Sequence, residues 1–484
     1  MVTLSGLREW QDLVACIHTN RGGGYQPDPI LGFILTFGLQ FLVYDMNKQL
    51  HSWGRYPAHA QTAILCQSRS DLKRTLTDIA AHYSTTLPFG NGRTYGDNCL
   101  AASDHVLYTR PLNCLVAADW TTGLISAEAG MTLSELLAIA IPKGWFLPVT
   151  PGTQFITLGG AVANDVHGKN HHTLGTLGCH VPRFGLIRSD RSPMICSCRE
   201  NADFYAATIA GLGLTGIIEW VELQLVPIRS SQIDVTYVRF ESLDEFFSVT
   251  PELEEKFEFT MSWIDCLTQG KSVGRGVYMA GNYSKEGELA FADLFKLSVP
   301  VTPPISAINS YSVRLFNTVY YHSYRAGRHS SRISYDPFFY PLDRVLNWNR
   351  IYGARGFQQY QCAIPDANAE AAVRELLNTI AAARSGSFLA VLKRFGQVTS
   401  PGLLSFPMSG ATLALDFPQK GDTTAKLFKR LDAIVHEAGG RFYPAKDAHM
   451  SGEEFRSSYP AWERLEALRD PALLSRFWQR VALQ

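Results

Sequence analysis

The sequence predicts an α+β protein of two domains, and three observations support this fold class. The chain has 484 residues, 46% of them hydrophobic and 18% charged, which exceeds one average domain and is typical of a globular protein with a large core. Up to about Pro227, short strands and helices alternate between glycine turns. After Pro227, apolar and polar residues alternate, as in the strands of an open antiparallel sheet.

We expect four segments along the chain. Residues 1–48 form an N-terminal extension, 49–230 a first domain, 231–439 a second domain with the antiparallel sheet, and 440–484 a return to the first domain. Within the extension, residues 30–44 are predominantly apolar, but at about 1.5 Å per residue they are too short to cross roughly 30 Å of hydrocarbon. This run is either an extension that packs on the body, the product of a misplaced start site, or a membrane-surface segment.

Charge and cysteine content exclude several classes of function. Lysine plus arginine equals aspartate plus glutamate at 44 each, so the chain has no overall basic field for binding nucleic acid. The nine cysteines include one close pair, Cys196 and Cys198, and no CxxC motif. We therefore expect no metal site and no disulfide framework, but reduced thiols in a cytoplasmic protein, with peripheral membrane association left open.

Local signals predict individual elements. Ser70 is placed to cap a helix whose apolar residues recur at helical spacing over 72–83. Thr132 and Glu135 form a capping box at the start of another helix, and residues 216–226 predict a strand. In the second domain, strands are predicted at 233–237, 276–279, 359–364, 386–394 and 412–417, and helices at 367–383 and 426–438. Residues 284–310 and 322–336 have no clear pattern and are either mobile lids over a pocket or surface loops.

Two nucleotide-binding patterns are decoys. Residues 211–216 satisfy GxGxxG, but a helical stretch precedes them and a β-branched run follows, which reverses the order that a dinucleotide fold requires. Residues 270–272 resemble the end of a P-loop, but Asp265 occupies the position of its first glycine. We reject both interpretations.

Two glycine-rich loops carry the strongest chemical signal. The first, residues 88–98, reads PFGNGRTYGDN, and the second, residues 148–172, contains PGT, TLGGAVAN and HGKNHH. Glycines let the backbone approach a ligand closely, and successive N–H groups form concavities that suit a pyrophosphate. Taken alone, such loops are ordinary turns about as often as binding sites.

The pair of loops resembles the FAD-binding region of the vanillyl-alcohol-oxidase (PCMH-type) family of oxidoreductases. HGKNHH after TLGGA is similar to the decaprenylphosphoryl-ribose oxidase branch of that family. Further matching segments continue in the same order almost to the C-terminus, among them Trp263-Ile-Asp265, Gln359-Tyr-Gln361, Asp416-Phe-Pro418 and Ala445-Lys446-Asp447. Residues 1–48 lie outside the resemblance.

The resemblance implies a two-domain FAD-binding fold, with the flavin ring between an FAD-binding domain and a substrate-binding domain. Some relatives attach FAD covalently through a histidine in the first loop. Here Arg93-Thr94-Tyr95 occupies that place, so we expect non-covalent FAD. The residues that the resemblance places around FAD are Gly90, Asn91, Gly92, Arg93, Thr94, Tyr95, Asn98, Pro151, Gly152, Thr153, Thr157, Gly159, Gly160, Ala163, Asn164, Val166, His167, Gly168, Gly213, Gly216, Ile217, Ile218 and Tyr443.

The implied reaction is hydride transfer from a secondary alcohol of a sugar to flavin N5. The family substrate is a polyprenylphosphoryl pentose, oxidised at its 2'-hydroxyl during synthesis of an arabinose donor for cell-wall polysaccharides, and a separate short-chain reductase then acts on the ketone. The alternative is a stand-alone sugar, alditol or aldonolactone oxidase that uses dioxygen. A flavin- or lipid-binding scaffold without turnover is a third interpretation.

By family position, Lys446 is the leading catalytic candidate, and a structural salt bridge to Asp447 or another acid is the alternative role for its ammonium group. His167 and Lys169 are further catalytic candidates. The residues that the resemblance implies for substrate binding are Tyr95, Trp263, Phe339, Gln359, Gln361, Lys393, Thr412 and Ala414.

Three departures from the family pattern put the exact substrate in doubt. Ala414 stands where a cysteine is usual, so chemistry that needs a thiol there is absent. The sequence Phe339-Tyr340-Pro341 loses the expected tyrosine hydroxyl or displaces it by one residue. Ser475-Arg476-Phe477 replaces a Ser-Asp pattern near the C-terminus.

Overall fold

A computed structural model describes residues 49–292 and 295–484, so the N-terminal extension and its apolar run lie outside the described residues. The longer helices are Leu72–Tyr83, Leu133–Ala140, Leu243–Lys256, Ser310–Ser323, Ala369–Ala382 and Asp422–Glu437. The shorter helices are Leu158–Ala163, His171–Leu174, Ala202–Thr208, Tyr335–Phe339, Gly452–Ser458, Trp462–Leu468 and Arg476–Val481. Within the described ranges, no helix combines the length and the apolar character needed to span a bilayer.

The strands divide between the two halves of the chain. The first half contains β1 (Thr62–Leu65), β2 (Pro88–Phe89), β3 (His105–Tyr108), β4 (Leu115–Asp119), β5 (Leu124–Glu128), β6 (Trp145–Phe146), β7 (Arg183–Ile187), β8 (Met194–Ser197), β9 (Ile217–Gln224) and β10 (Val226–Pro227). The second half contains β11 (Gln232–Phe240), β12 (Phe259–Ile264), β13 (Gly276–Tyr283), β14 (Leu297–Ser298), β15 (Gly327–Ser334), β16 (Val345–Leu346), β17 (Phe357–Pro365), β18 (Ala390–Phe395), β19 (Gly410–Pro418) and β20 (Arg441–Phe442).

The largest sheet is antiparallel throughout and has the order β15-β11-β13-β12-β18-β19-β17-β20. The helices Leu243–Lys256, Ala369–Ala382 and Asp422–Glu437 pack against it with their apolar residues. Burial of these amphipathic helices stabilises that side of the sheet.

The first half of the chain contains a second antiparallel sheet, with the order β4-β5-β9-β7-β8, and a small parallel sheet, with the order β1-β3-β2. The helix Leu133–Ala140 begins with the predicted capping box. The Thr132 hydroxyl accepts from the Glu135 N–H at 3.2 Å, and the Glu135 carboxylate accepts from the Thr132 N–H at 2.8 Å. The mixture of helices with antiparallel sheets confirms the predicted α+β class.

The C-terminal residues pack against the first half of the chain. The N–H of Thr86 donates to Ala472 O at 2.8 Å, and the N–H of Ala102 donates to Leu474 O at 3.0 Å. The N–H of Asp470 donates to Leu214 O at 2.9 Å. These contacts bring the end of the chain beside the first glycine-rich loop, while the predicted domain boundaries remain predictions.

Three local predictions are wrong in detail. Asp71, not Ser70, is the N-cap of the helix Leu72–Tyr83, because a 3₁₀ turn, Arg69–Asp71, precedes it. The strand expected to begin at residue 386 begins at Ala390. Residues 322–336 contain the strand Gly327–Ser334, which lies at the edge of the large sheet. An edge strand of largely exposed polar residues lacks the apolar alternation that predicts strands.

Candidate active site

Three neighbouring strands place a row of polar side chains on one face of the large sheet. In the pairing of β17 with β19, Gln359 lies opposite Asp416 and Gln361 lies opposite Ala414. In the pairing of β18 with β19, Lys393 lies opposite Thr412. Paired residues share a face, and so do residues two apart along a strand. The five predicted substrate-binding positions on these three strands therefore lie on the same face.

The second glycine-rich loop meets this row through His167. Lys393 Nζ lies 2.9 Å from His167 Nδ1 and donates to the carbonyl of Gly168 at 2.6 Å. The other ring nitrogen of His167 lies 3.2 Å from the side-chain amide of Gln361. Burial, together with the neighbouring Lys393, holds the pKa of His167 well below its usual value. The lowered pKa favours a neutral imidazole at His167, with both ring nitrogens engaged by the sheet residues Gln361 and Lys393.

Two lysines form a cationic end of the site. The Lys169 ammonium contacts the Met261 sulfur and lies 5.2 Å from the centre of the Phe338 ring. Burial lowers the pKa of Lys169 to about 7, and burial together with Lys169 lowers the pKa of Lys393 to about 7. Neither lysine is paired with a carboxylate among the residues that the structure describes. This end of the site is suited to an anionic group that would restore both ammonium charges.

Lys446 packs against the first glycine-rich loop. Its Nζ is 3.8 Å from the centre of the Tyr95 ring, and the N–H of Tyr95 donates to Ala445 O at 3.2 Å. Of the acids considered for the alternative role, Asp447 forms no salt bridge with Lys446, whereas Asp416 interacts with its charge. Asp447 instead accepts from Arg480 at 2.9 Å.

The electrostatic partner of Lys446 is Asp416. Gln359 Nε2 donates to Asp416 Oδ1 at 2.6 Å, while Asp416 Oδ2 is buried and has no partner among the described residues. Burial raises the pKa of Asp416 and lowers the pKa of Lys446, because it disfavours the charged form of both groups. The charge of Lys446 opposes the first shift, and the charge of Asp416 opposes the second. Sequence reasoning did not assign Asp416 a role. The available signal was a single aspartate within the otherwise apolar run 413–417.

Side-chain amides join the two glycine-rich loops. Asn98 Nδ2 donates to Asn164 Oδ1 at 2.9 Å, and Asn91 Nδ2 donates to Phe155 O at 2.7 Å. Tyr443 adds a third link, because its hydroxyl donates to Asn164 O at 2.8 Å. Predicted cofactor residues from three distant parts of the sequence thus lie together.

The residues present fit a dinucleotide phosphate. Among the described residues, the backbone N–H groups of Asn91, Gly92 and Arg93 have no acceptor. Gly92 has a φ of 59°, a left-handed conformation that glycine adopts without strain. A Cβ added at Gly152 would meet no protein atom within 4 Å, so open space lies beside the second loop. Successive N–H groups without an acceptor, as in the first loop, are the arrangement that forms anion-binding concavities.

The helix Leu158–Ala163 holds the second loop in place. The Thr157 hydroxyl caps it by accepting from the Gly160 N–H at 3.2 Å. The turn that contains Gly213 and Gly216 packs behind this helix, since the N–H of Leu212 donates to Ala163 O at 2.8 Å. Ile217 and Ile218 are buried at the start of β9. These predicted cofactor residues therefore support the loop from behind.

Two predicted substrate residues lie apart from the polar cluster. Trp263 is on the same face of the sheet, but its indole N–H donates to Phe388 O at 2.9 Å and its ring packs on Tyr320. Phe339 is buried in the apolar core among other aromatic rings. The neighbouring Tyr340 hydroxyl is also buried and lies 2.6 Å from the Thr150 hydroxyl. The Tyr340 hydroxyl, one residue from the position where the family has a tyrosine, therefore stabilises the start of the second glycine-rich loop.

Comparison with known proteins agrees with this geometry. The profile of an FAD binding domain family matches residues 60–190. The decaprenylphosphoryl-β-D-ribose oxidase of Mycolicibacterium smegmatis is 31% identical over 448 residues, which cover 88% of this chain and 95% of that protein. An L-gulono-1,4-lactone dehydrogenase of Mycobacterium tuberculosis is 22% identical over 86% of this chain and 95% of its own length. A mouse L-gulonolactone oxidase is 28% identical over 28% of this chain and 31% of its own length.

Proposed function

Because the chain belongs to the PCMH-type family of FAD-dependent oxidoreductases that includes decaprenylphosphoryl-β-D-ribose oxidase, we propose that it oxidises the 2'-hydroxyl of a polyprenylphosphoryl pentose. FAD, when bound, supplies the hydride acceptor. The observation that carries the proposal is the arrangement of one polar site. The side-chain amides of Gln359 and Gln361 lie beside the buried Lys446 at one end, and Lys169 and Lys393, which have no carboxylate partner among the described residues, lie at the other.

The proposed sugar site is the row of amides on the sheet. Side-chain amides donate and accept hydrogen bonds, which suits the hydroxyl groups of a sugar. Gln359 is oriented by Asp416, and Gln361 is oriented by His167 and by the Thr412 hydroxyl at 3.4 Å. This orientation leaves the amides little rotational freedom to lose when a sugar binds.

Lys446 is the proposed base for the substrate hydroxyl. Its burial favours the neutral amine, which can accept the hydroxyl proton as the hydride leaves carbon. The nearby Asp416 charge then stabilises the ammonium that forms. The face of the Tyr95 ring keeps Nζ directed into the site at 3.8 Å.

Lys169 and Lys393 are the proposed phosphate ligands, with His167 between the phosphate and the sugar. The phosphodiester anion of the substrate would raise the lowered pKa of each lysine and favour its charged form. We further propose that residues 49–230 and 440–484 hold FAD and that residues 231–439 hold the substrate. The ketone product would then pass to a separate reductase.

A second candidate function is oxidation of a sugar lactone, which the similarity to gulonolactone enzymes favours, with dioxygen as the acceptor in the oxidase version of this reaction. The two functions are distinguished by turnover with polyprenylphosphoryl ribose and with sugar lactones, measuring hydrogen peroxide and reduction of a quinone analogue. The proposed function predicts turnover of the phosphate-linked sugar with little peroxide. Peroxide formed in step with lactone oxidation, and no turnover of the lipid-linked sugar, would favour the second.

We predict that FAD is released when the holoprotein is precipitated with acid. The first loop has Arg93, whose guanidinium lies 4.1 Å from the centre of the Trp53 ring, where covalent relatives have a histidine. Arginine, always protonated, forms no flavin adduct. The absorbance of supernatant and pellet is compared, and a yellow pellet after washing would contradict the prediction.

A further inference from the structure

Exposed apolar side chains are concentrated in one segment of the chain. Thirteen large apolar side chains are exposed among the described residues, and eight of them lie between residues 295 and 319. Phe295 is 85% exposed and Ile305 is 79% exposed. Scattered exposed apolar residues are normal in soluble proteins, whereas a concentration of them marks an interaction surface. We call residues 295–319 the apolar surface.

The helix Ser310–Ser323 contributes to this surface in an unusual orientation. Its inward face consists of Val313, Asn317 and Tyr321, and Asn317 donates to Asp265 at 2.8 Å. Leu315 and Val319 lie on the outward face and are 69% and 62% exposed. A helix that also turns leucine and valine outward presents apolar side chains to a partner.

The sequence around the apolar surface is one-sided in charge. No aspartate or glutamate occurs between Phe295 and Tyr335, whereas five lysine or arginine residues do. Arg328 and Arg332 are paired with Glu252 and Asp234 on neighbouring elements. The other three, Lys296, Arg314 and Arg325, have no acidic partner among the described residues. The exposed apolar side chains therefore lie among unpaired positive charges.

The apolar surface adjoins the candidate active site. Ile308, which belongs to the apolar surface, packs in the same aromatic cluster as Tyr95. The Tyr95 ring in turn contacts Lys446. Lys296 lies 5.2 Å from the centre of the Phe155 ring, and Phe155 is bonded to the first loop through Asn91. A hydrophobic partner on this surface would therefore be close to the FAD loops.

We propose that the apolar surface docks on an anionic lipid bilayer. Exposed leucine, valine and phenylalanine with unpaired lysine and arginine are the combination by which interfacial helices enter the headgroup region of anionic membranes. The charge pattern favours a bilayer over a second copy of this chain, because two such surfaces would bring like charges together. The proposal does not depend on the substrate, although a lipid-linked sugar would reach the site from such a membrane.

The test is flotation of the full-length, FAD-loaded protein with vesicles, in the absence of substrate. One set of vesicles is phosphatidylcholine and the other contains equal parts of phosphatidylcholine and phosphatidylglycerol. We expect binding to the anionic vesicles, weaker binding at high salt, and about a tenfold or greater loss of the partition coefficient for Leu315→Glu with Val319→Glu. The control is Val116→Glu with Ile195→Glu, two exposed positions on edge strands of the other sheet, which should bind as wild type does.

Three outcomes would overturn the proposal. The first is absence of wild-type binding to anionic vesicles. The second is binding that Leu315→Glu with Val319→Glu leaves unchanged, which would assign membrane attachment to another part of the chain. The third is a concentration-dependent dimer, without vesicle binding, that the same substitutions abolish, which would assign the surface to a second copy. The flavin absorbance of each variant verifies that its fold is retained.

Discussion

Replacing Lys446 with alanine is expected to slow anaerobic reduction of the bound flavin by substrate by about 10²–10⁴-fold, the usual contribution of a positioned base. FAD should remain bound, because the loop amides and the Asn98–Asn164 link are untouched. In wild type, the reduction rate should rise with pH, since lysine acts in its deprotonated form and burial lowers its pKa. The Lys446→Ala variant should lose that rise. Stopped-flow absorbance of the flavin measures both effects.

The matched control for this substitution is Lys429→Ala, because Lys429 is exposed on the helix Asp422–Glu437, away from the polar cluster. In the Lys429→Ala variant, substrate should reduce the bound flavin at the wild-type rate. If Lys446→Ala also did so, with the wild-type dependence on pH, Lys446 would have no part in proton transfer. Loss of FAD from the Lys446→Ala protein would instead indicate a role in holding the cofactor.

Replacing Arg480 with methionine is expected to lower the free energy of unfolding by about 3–5 kcal/mol, the cost of leaving buried charges without their partner. Arg480 donates to both oxygens of Asp97, at 2.9 and 3.0 Å, and to Asp447 at 2.9 Å. Both carboxylates are buried. Asp97 belongs to the first loop and Asp447 follows Lys446, so the same substitution should also weaken FAD binding.

Arg476→Met provides the control for Arg480, since both arginines lie on the helix Arg476–Val481 and both pair with an aspartate. Arg476 bonds to Asp104 at 2.9 Å, but Asp104 is 43% exposed. An exposed pair contributes about 1 kcal/mol or less. Denaturant unfolding of the two holoproteins compares them. If the two substitutions lowered the free energy of unfolding equally, burial of Asp97 and Asp447 would not determine how much Arg480 contributes to stability.

Much of the site could be predicted from the sequence because its signals are local. Glycines, threonines and asparagines within two short loops indicate a backbone that binds an anion, and the structure links these loops through Asn98 and Asn164. The Thr132–Glu135 capping box can likewise be predicted from the sequence, since both partners lie within one helical turn.

The remaining features depend on contacts between residues that are far apart in sequence. Arg480 and Asp97 are separated by 383 positions, so no pattern along the chain reveals their ion pair. Burial in the folded chain raises the pKa of Asp416, and Lys446, which lies 30 positions away in the sequence, opposes that shift. The helix Ser310–Ser323 turns apolar residues outward, which removes the periodicity by which a helix is normally recognised.

The most direct test of sugar oxidation at this site is an anaerobic titration of the purified FAD-loaded protein with polyprenylphosphoryl ribose, followed by the visible absorbance of the flavin. We predict that the absorbance bleaches in proportion to added substrate and that a ketone is formed at the 2' position. A flavin that stays oxidised under excess lipid-linked sugar, in protein that dithionite reduces normally, would contradict the proposed reaction.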